Sequence, residues 1–189
     1  MNSRPRPRDA ADTRRRILDA ATEEFSARGL AGARVMAIAE RALANQRMIY
    51  AYFESKEGLF KAVIERAVLV MQDTVALDPG DLVEYAQAVF DAYKAHPYLV
   101  RLALWQGLEL PELSATITPI AEATGRKVAA IRRAQDEGIL SSALDAKDLL
   151  DAILTLVYGN LVLAGDINSY TPERRAALST AVALLAQPR

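Results

Sequence analysis

Gln46 and Arg47 stand side by side at the start of a short aromatic stretch, ANQRMIYAYFESKEGLF, residues 44–60. Both side chains bond through two points in one plane. A glutamine amide matches the N6/N7 edge of adenine, and a guanidinium matches the two acceptors of guanine. Tyr50 lies three to four residues on, where its ring can meet a thymine methyl and its hydroxyl a phosphate. Lys56 follows Ser55. If Ser55 caps a new helix, Lys56 falls in the first turn, where the helix dipole disfavours a cation by roughly a few tenths of a kcal/mol. A phosphate bound there would reverse the sign, because free backbone N–H groups and the ammonium would both face an anion. The alternative is a solvated lysine at negligible cost.

Such side chains need a short helix held by its opposite face. Ile49 and Phe53, four residues apart, form that face, and Asn45 is the expected N-cap. A second short helix is expected over about 35–42, with Ile38 and Ala39 inward. Only residues 43–45 separate the two. A first helix, capped by Asp9 or Asp12, carries Ile17, Ala21 and Phe25 at four-residue spacing and stops at Gly29, a good left-handed C-cap. A short helix pair preceded by a packing helix is the helix-turn-helix arrangement.

Strand patterns are nearly absent beyond this point as well. Ser55 opens a long connecting helix over about 56–76, with Phe60, Val63, Ile64, Ala67, Val68 and Met71 on one face. LDPGD (residues 77–81) is the clearest break. An Asp81-x-x-Glu84 capping box then opens a stripe through Phe90 and Tyr93. Pro97 opens a helix through Trp105, and a further stripe runs from Ile117 to Ile131 and ends at Gly138. Asp145 caps a strongly apolar helix, and Thr171-Pro172-Glu173 opens the last one. The expected fold is all-α with about nine helices: a flexible basic arm (1–8), a helix-turn-helix domain (9–56) and a helical domain (57–189).

Composition narrows the function. The 189 residues include no cysteine and one histidine, His96, which removes disulfides, thiolate chemistry and multi-histidine metal sites. No Gly-rich phosphate loop and no clustered carboxylate motif is present, so neither an enzyme nor a cofactor is expected. Residues 149–165 are apolar, but Asp151 and Asn160 interrupt them and Asp166 ends them, so a buried helix is expected rather than a membrane span. The N-terminus has no apolar stretch behind its arginines, and a cytoplasmic location is expected. Net charge is −1, unevenly spread. Residues 1–56 hold 11 Lys/Arg against 7 Asp/Glu, a balance of +4, and the rest holds 12 against 17, a balance of −5. A basic head on an acidic body fits a polyanion partner. RPRPR (Arg4, Arg6 and Arg8) reads as an extended segment able to enter a minor groove, or else as a solvated tail.

Thr13 to Phe60 resembles the DNA-binding domain of the TetR family of bacterial transcriptional regulators. The match runs in order and without gaps over about a quarter of the chain: Ile17-Leu18, Ala20-Ala21, Phe25, Gly29, Ile38-Ala39, Ala42, Ile49-Tyr50, Tyr52-Phe53, Ser55-Lys56-Glu57 and Leu59. The resemblance implies that Asn45, Gln46, Arg47 and Met48 meet base edges or nearby phosphates, and that Tyr50, Tyr52 and Lys56 hold the DNA backbone. Three positions depart from the family pattern. Leu43 replaces the turn glycine. Ala33 and Arg34 stand where a Ser/Thr usually caps the second helix, so Arg34 is the candidate phosphate contact there. Met36 occupies a position that is often polar and base-contacting.

The same resemblance implies that the C-terminal helices bind a small-molecule effector and that the last two form a homodimer. Ile153, Leu156, Val157 and Leu161, with Leu178, Val182 and Leu185, are the expected interface; a helix central to its own domain is the other possibility. Phe90, Tyr93, Tyr98, Trp105 and Tyr158, with Gln106, Asn160 and His96 as polar contacts, are the candidate pocket residues. Trp105 beside Gln106 is the first choice, because a buried indole needs a hydrogen-bond partner. The acidic body favours neutral or cationic effectors. The expected function is a ligand-responsive repressor that binds a palindromic double-stranded operator as a dimer. A protein-binding helical adaptor and a regulator without a ligand are the rivals.

Overall fold

The computed structural model describes residues 7–113, 117–164 and 171–188. Among these residues nine helices and no strand are found: α1 (Pro7–Gly32), α2 (Val35–Arg41), α3 (Gln46–Phe53), α4 (Lys56–Thr74), α5 (Leu82–Ala95), α6 (Pro97–Glu109), α7 (Thr118–Asp136), α8 (Ala146–Ala164) and α9 (Pro172–Ala186). No described helix is long and apolar enough to cross a membrane. The chain forms two compact units, Met1–Ala67 with Tyr98–Ile117, and Val68–Pro97 with Thr118–Arg189. This division does not follow the expected boundary at residue 56: residues 98–117 group with the head, and α4 passes from one unit into the other.

In the first unit Ile17, Ala21 and Phe25 of α1, Ile38 of α2, Ile49 and Phe53 of α3, and Leu59 and Phe60 of α4 are buried together. The Phe25 and Phe60 rings meet edge to face, 5.0 Å between centroids, a favoured aromatic geometry. Arg66 on α4 ties back to α1, bonding Asp19 and the Thr22 hydroxyl at 2.6 Å each.

α1 departs from expectation at both ends. It begins at Pro7, because a proline at the first helical position lacks only an N–H that would be unpaired anyway. Arg8 therefore belongs to a helix rather than to an extended arm; its side chain, like Arg4 and Arg6, lies outside the described residues. At the other end Gly29 (φ 70°, ψ −177°) breaks the helix as expected, but one more turn follows. That backbone region is essentially restricted to glycine. The break strips helical partners from both sides, and α6 replaces them. Arg101 Nε donates to Ser26 O at 2.7 Å, and Trp105 Nε1 donates to the same carbonyl at 3.3 Å. The Glu109 carboxylate accepts from the N–H groups of Leu30 and Ala31. A Cβ at position 29 would lie 2.8 Å from the Trp105 ring.

In the second unit the Asp81 carboxylate accepts from Glu84 N at 2.8 Å and caps α5, while the Asp81 N–H donates to Asp78 O at 3.1 Å, so the N-cap half of the expected capping box is the half that forms. α5 packs on α9, with Gln87 Nε2 donating to Ser179 Oγ at 2.7 Å and Arg175 gripping both oxygens of Asp91. α7 ends at Gly138 (φ 73°) in a Schellman turn: Gly138 N donates to Gln135 O and Ile139 N to Ala134 O. Asp145 then caps α8 by accepting from Lys147 N at 2.8 Å. That bond, followed by the nearby Arg132 guanidinium, holds its carboxyl below the usual range. Thr171 caps α9.

Four of the expected dimer-face residues are covered by the chain itself. Ile153, Val157, Leu178 and Val182 are fully buried within the chain's own core, so their apolarity is already used. Leu156 and Leu185 are half-buried, and the Leu161 side chain lies outside the described residues.

Candidate nucleic-acid interface

α3 begins where Asn45 Oδ1 accepts from Met48 N at 2.9 Å, the N-cap bond expected from the sequence. The bond uses the amide oxygen of Asn45 and leaves its NH₂ as the group able to face a polyanion. Ile49 and Phe53 are buried on the inner side. Asn45, Gln46, Arg47 and Tyr50 are exposed, and Met48 and Tyr52 are half-buried. Arg14 of α1 lies over the Phe53 ring, 5.1 Å from its centroid, and adds a cation to the same end of the unit.

The turn before α3 shows how Leu43 serves in place of glycine. Leu43 N donates to Glu40 O at 3.2 Å and Ala44 N to Ala39 O at 2.9 Å, a complete Schellman turn with Leu43 at its left-handed position, φ 51°. The geometry matches that of Gly138. Leucine accepts it at a cost of about 1 kcal/mol, with a side chain 81% exposed. Met36, 60% exposed, is a second large apolar residue offered to solvent by this head.

The missing cap of α2 is supplied from another helix. Arg34 is the N-cap residue and makes no side-chain cap bond. The buried carboxylate of Glu24 accepts from Arg34 N at 3.2 Å and ion-pairs with Arg28 at 3.3 Å and Arg41 at 3.7 Å. It does what the glutamate of a capping box does, from ten residues away. The Arg34 side chain itself is exposed.

Lys56 opens α4 next to Ser55, whose Oγ accepts from Gly58 N at 2.9 Å. Its Nζ donates to Ala31 O at 3.2 Å. That bond is a third use for the charge, besides the phosphate and the solvated lysine weighed from the sequence. Gly58 was not singled out by sequence. A Cβ there would stand 2.1 Å from Phe53 O, so any other residue would force the α3–α4 junction apart.

The expected pocket residues fall in both units. Phe90, Tyr93 and Tyr158 lie in the second unit, where the Tyr93 and Tyr158 hydroxyls are 2.6 Å apart and the rings 5.2 Å. Burial raises the Tyr158 phenol above its ordinary range. Tyr98, Trp105 and Gln106 belong to the first unit. The Trp105 indole donates to Ser26 O, and Gln106 donates to Leu110 O at 3.2 Å. The Asn160 side chain lies outside the described residues.

A short helix whose inner face is locked and whose polar start is exposed, joined through a tight turn to a second short helix, defines a helix-turn-helix head. Residues 17–63 match the family described as bacterial regulatory proteins, tetR family, and residues 81–186 match the tetracyclin repressor-like C-terminal domain. The HTH-type transcriptional repressor SCO4008 of Streptomyces coelicolor is 39% identical over 152 residues, which cover 79% of this chain and 78% of that one. The HTH-type transcriptional repressor NicS of Pseudomonas putida is 29% identical over 92% of this chain and 82% of its own. The crystal structure of the putative transcriptional regulator SCO4942 of Streptomyces coelicolor superposes with a TM-score of 0.78 at 38% identity, covering 94% and 99% of the two chains. The chain belongs to the TetR family of transcriptional regulators. It is a DNA-binding regulator and not an enzyme.

Proposed function

We propose that the chain is a cytoplasmic repressor that binds a palindromic operator as a homodimer and is released by a small-molecule effector. The observation that carries the reading is the division of α3, with Ile49 and Phe53 buried and Gln46 and Arg47 exposed at its start. Two such helices, one per protomer, enter successive major grooves about 34–36 Å apart. Gln46 reads adenine and Arg47 guanine, Asn45 and Met48 touch adjoining edges, and Leu43 and Met36 offer apolar contact to thymine methyls. Tyr50, Tyr52, Lys56 and Arg34 hold phosphates, and the arm with Arg4 and Arg6 follows the minor groove.

Residues 9–56 form the DNA-binding part and 57–189 the part that binds effector and pairs the protomers. The faces of α8 and α9 left outside the chain's own core, including Leu184 at 71% exposure, supply the dimer contact. Effector binding shifts the population toward a head spacing that fits DNA less well. The relatives whose names describe transcriptional repressors, SCO4008 and NicS, support repression over activation.

Selection of bound duplexes from a random pool tests this reading. The expected product is a two-fold symmetric motif with half-sites one helical turn apart, bound by two protomers. Recovery of a motif with no symmetry, or binding by a monomer in sedimentation, overturns the dimer. Retention of DNA at saturation by every compound of a broad effector panel overturns release.

A further inference from the structure

Lys127 of α7 is a half-buried lysine with no carboxylate partner among the described residues. Its Nζ donates to the Tyr85 hydroxyl at 3.0 Å and lies 5.1 Å from that ring's centroid. Tyr85 is 2% exposed, and burial pushes its phenol up to about 12, so it faces the ammonium as a neutral dipole. Among the described residues no carboxylate lies within 4 Å of the Lys127 nitrogen. Burial, and then the neighbouring Arg126, hold the ammonium below the usual lysine range. An ammonium has three N–H donors, and Tyr85 takes one of them.

Lys127 also lines a cleft of about 400 Å³ in the second unit, a size within the usual range for small-molecule sites. Arg126 lines the cleft too, and five aliphatic side chains, Val75 and Leu77 among them, make up the rest of its lining among the described residues. Arg126 is exposed, and its one ion pair among the described residues is a long one with exposed Glu122, 3.9 Å. Such a pair contributes little and leaves the guanidinium able to turn to another anion.

We propose that this cleft binds an amphipathic monoanion, a carboxylate on an apolar body, with its headgroup held by Lys127 and Arg126 and its body laid on the aliphatic wall. The inference rests on the reading of this part of the chain as the effector-binding region and names the class of effector. It reverses the expectation drawn from the acidic balance of the body. At physiological ionic strength charges beyond about 8 Å are largely screened, so the two cations on the wall outweigh distant carboxylates. The Tyr85 hydroxyl and ring position the ammonium at the cleft wall in the absence of ligand.

Calorimetric titration of the full chain with sodium octanoate, and with octanamide as the neutral probe of matching length, tests the site. Octanoate is expected to bind about tenfold or more tightly than octanamide, and Lys127→Met to bring octanoate down to the affinity of the amide. Arg126→Gln is expected to cause a smaller loss in the same direction. The Lys127→Met protein should remain folded, since loss of the bond to the Tyr85 hydroxyl is offset by removal of a half-buried charge. Equal binding of the two probes by the wild-type chain, octanoate binding weaker than about 10 mM, or unchanged octanoate affinity in the Lys127→Met protein each overturns the proposal. The first two comparisons use only the wild type and do not depend on a variant folding. Octanoate bound through Lys127 while operator affinity stays constant upholds the anion site and removes its regulatory use, so the two readings fail separately.

Discussion

The short helix α3 and the apolar helix α8 both stand out in the sequence, and the structure treats them differently. On α3 the residues of interest contrast with their neighbours: Gln46 and Arg47 are polar and exposed, while Ile49 and Phe53 are apolar and buried. Polarity there assigns each residue a face. On α8 nearly every candidate is apolar, and Ile153 and Val157 turn out to lie in the chain's own core. Uniform apolarity says that a surface is covered and does not say by what. A helix with mixed character is therefore easier to assign a role than one without.

The largest expected effect comes from α8, the uniformly apolar side of the comparison. Ile153→Ala should cost about 2–5 kcal/mol in urea unfolding, at every protein concentration alike. A cost that grows on dilution would return Ile153 to an interface. Gly29→Ala should cost about 3 kcal/mol, from a backbone region closed to alanine and a Cβ pressed on Trp105, with a fall in melting temperature as the readout. A loss below about 1 kcal/mol would mean that α6 does not hold the end of α1 as described.

Arg47→Ala addresses the side that the sequence read correctly as exposed. About 1–3 kcal/mol of operator affinity should be lost, with relaxed preference at one base position; fluorescence anisotropy on single-base variants of the operator measures both. Uniform weakening across all sequences would make Arg47 a phosphate contact instead. Leu43→Gly is the smallest case, a gain of about 0.5–1 kcal/mol from relief of the left-handed leucine. Reduced operator affinity in that more stable protein would assign Leu43 a DNA contact.

What was legible in the sequence is what is local. Asn45, Ser55, Asp81, Asp145 and Thr171 were read as helix caps, and each makes its bond to a backbone N–H two or three residues on. The departure at Leu43 was legible too, since a left-handed turn position shows itself by the glycine it lacks. Contacts across the chain were not legible. Glu24 reaches Arg34 N ten residues on, Trp105 reaches Ser26, and Lys127 reaches Tyr85. No spacing rule links such pairs. The half-buried Trp105 indole meets its need for an acceptor at a carbonyl that the break at Gly29 makes available.

The hold of α6 on the end of α1 has a consequence for engineering. Residues 1–67 look like a transplantable cassette, since they contain the whole helix-turn-helix. Cut from this chain, they would leave the Ser26 carbonyl and the Leu30 and Ala31 amides without the partners that Arg101, Trp105 and Glu109 provide. A chimera that exchanges DNA specificity between regulators of this kind must carry the 98–117 segment together with the head. Otherwise it must restore at position 29 a helix that needs no such partners.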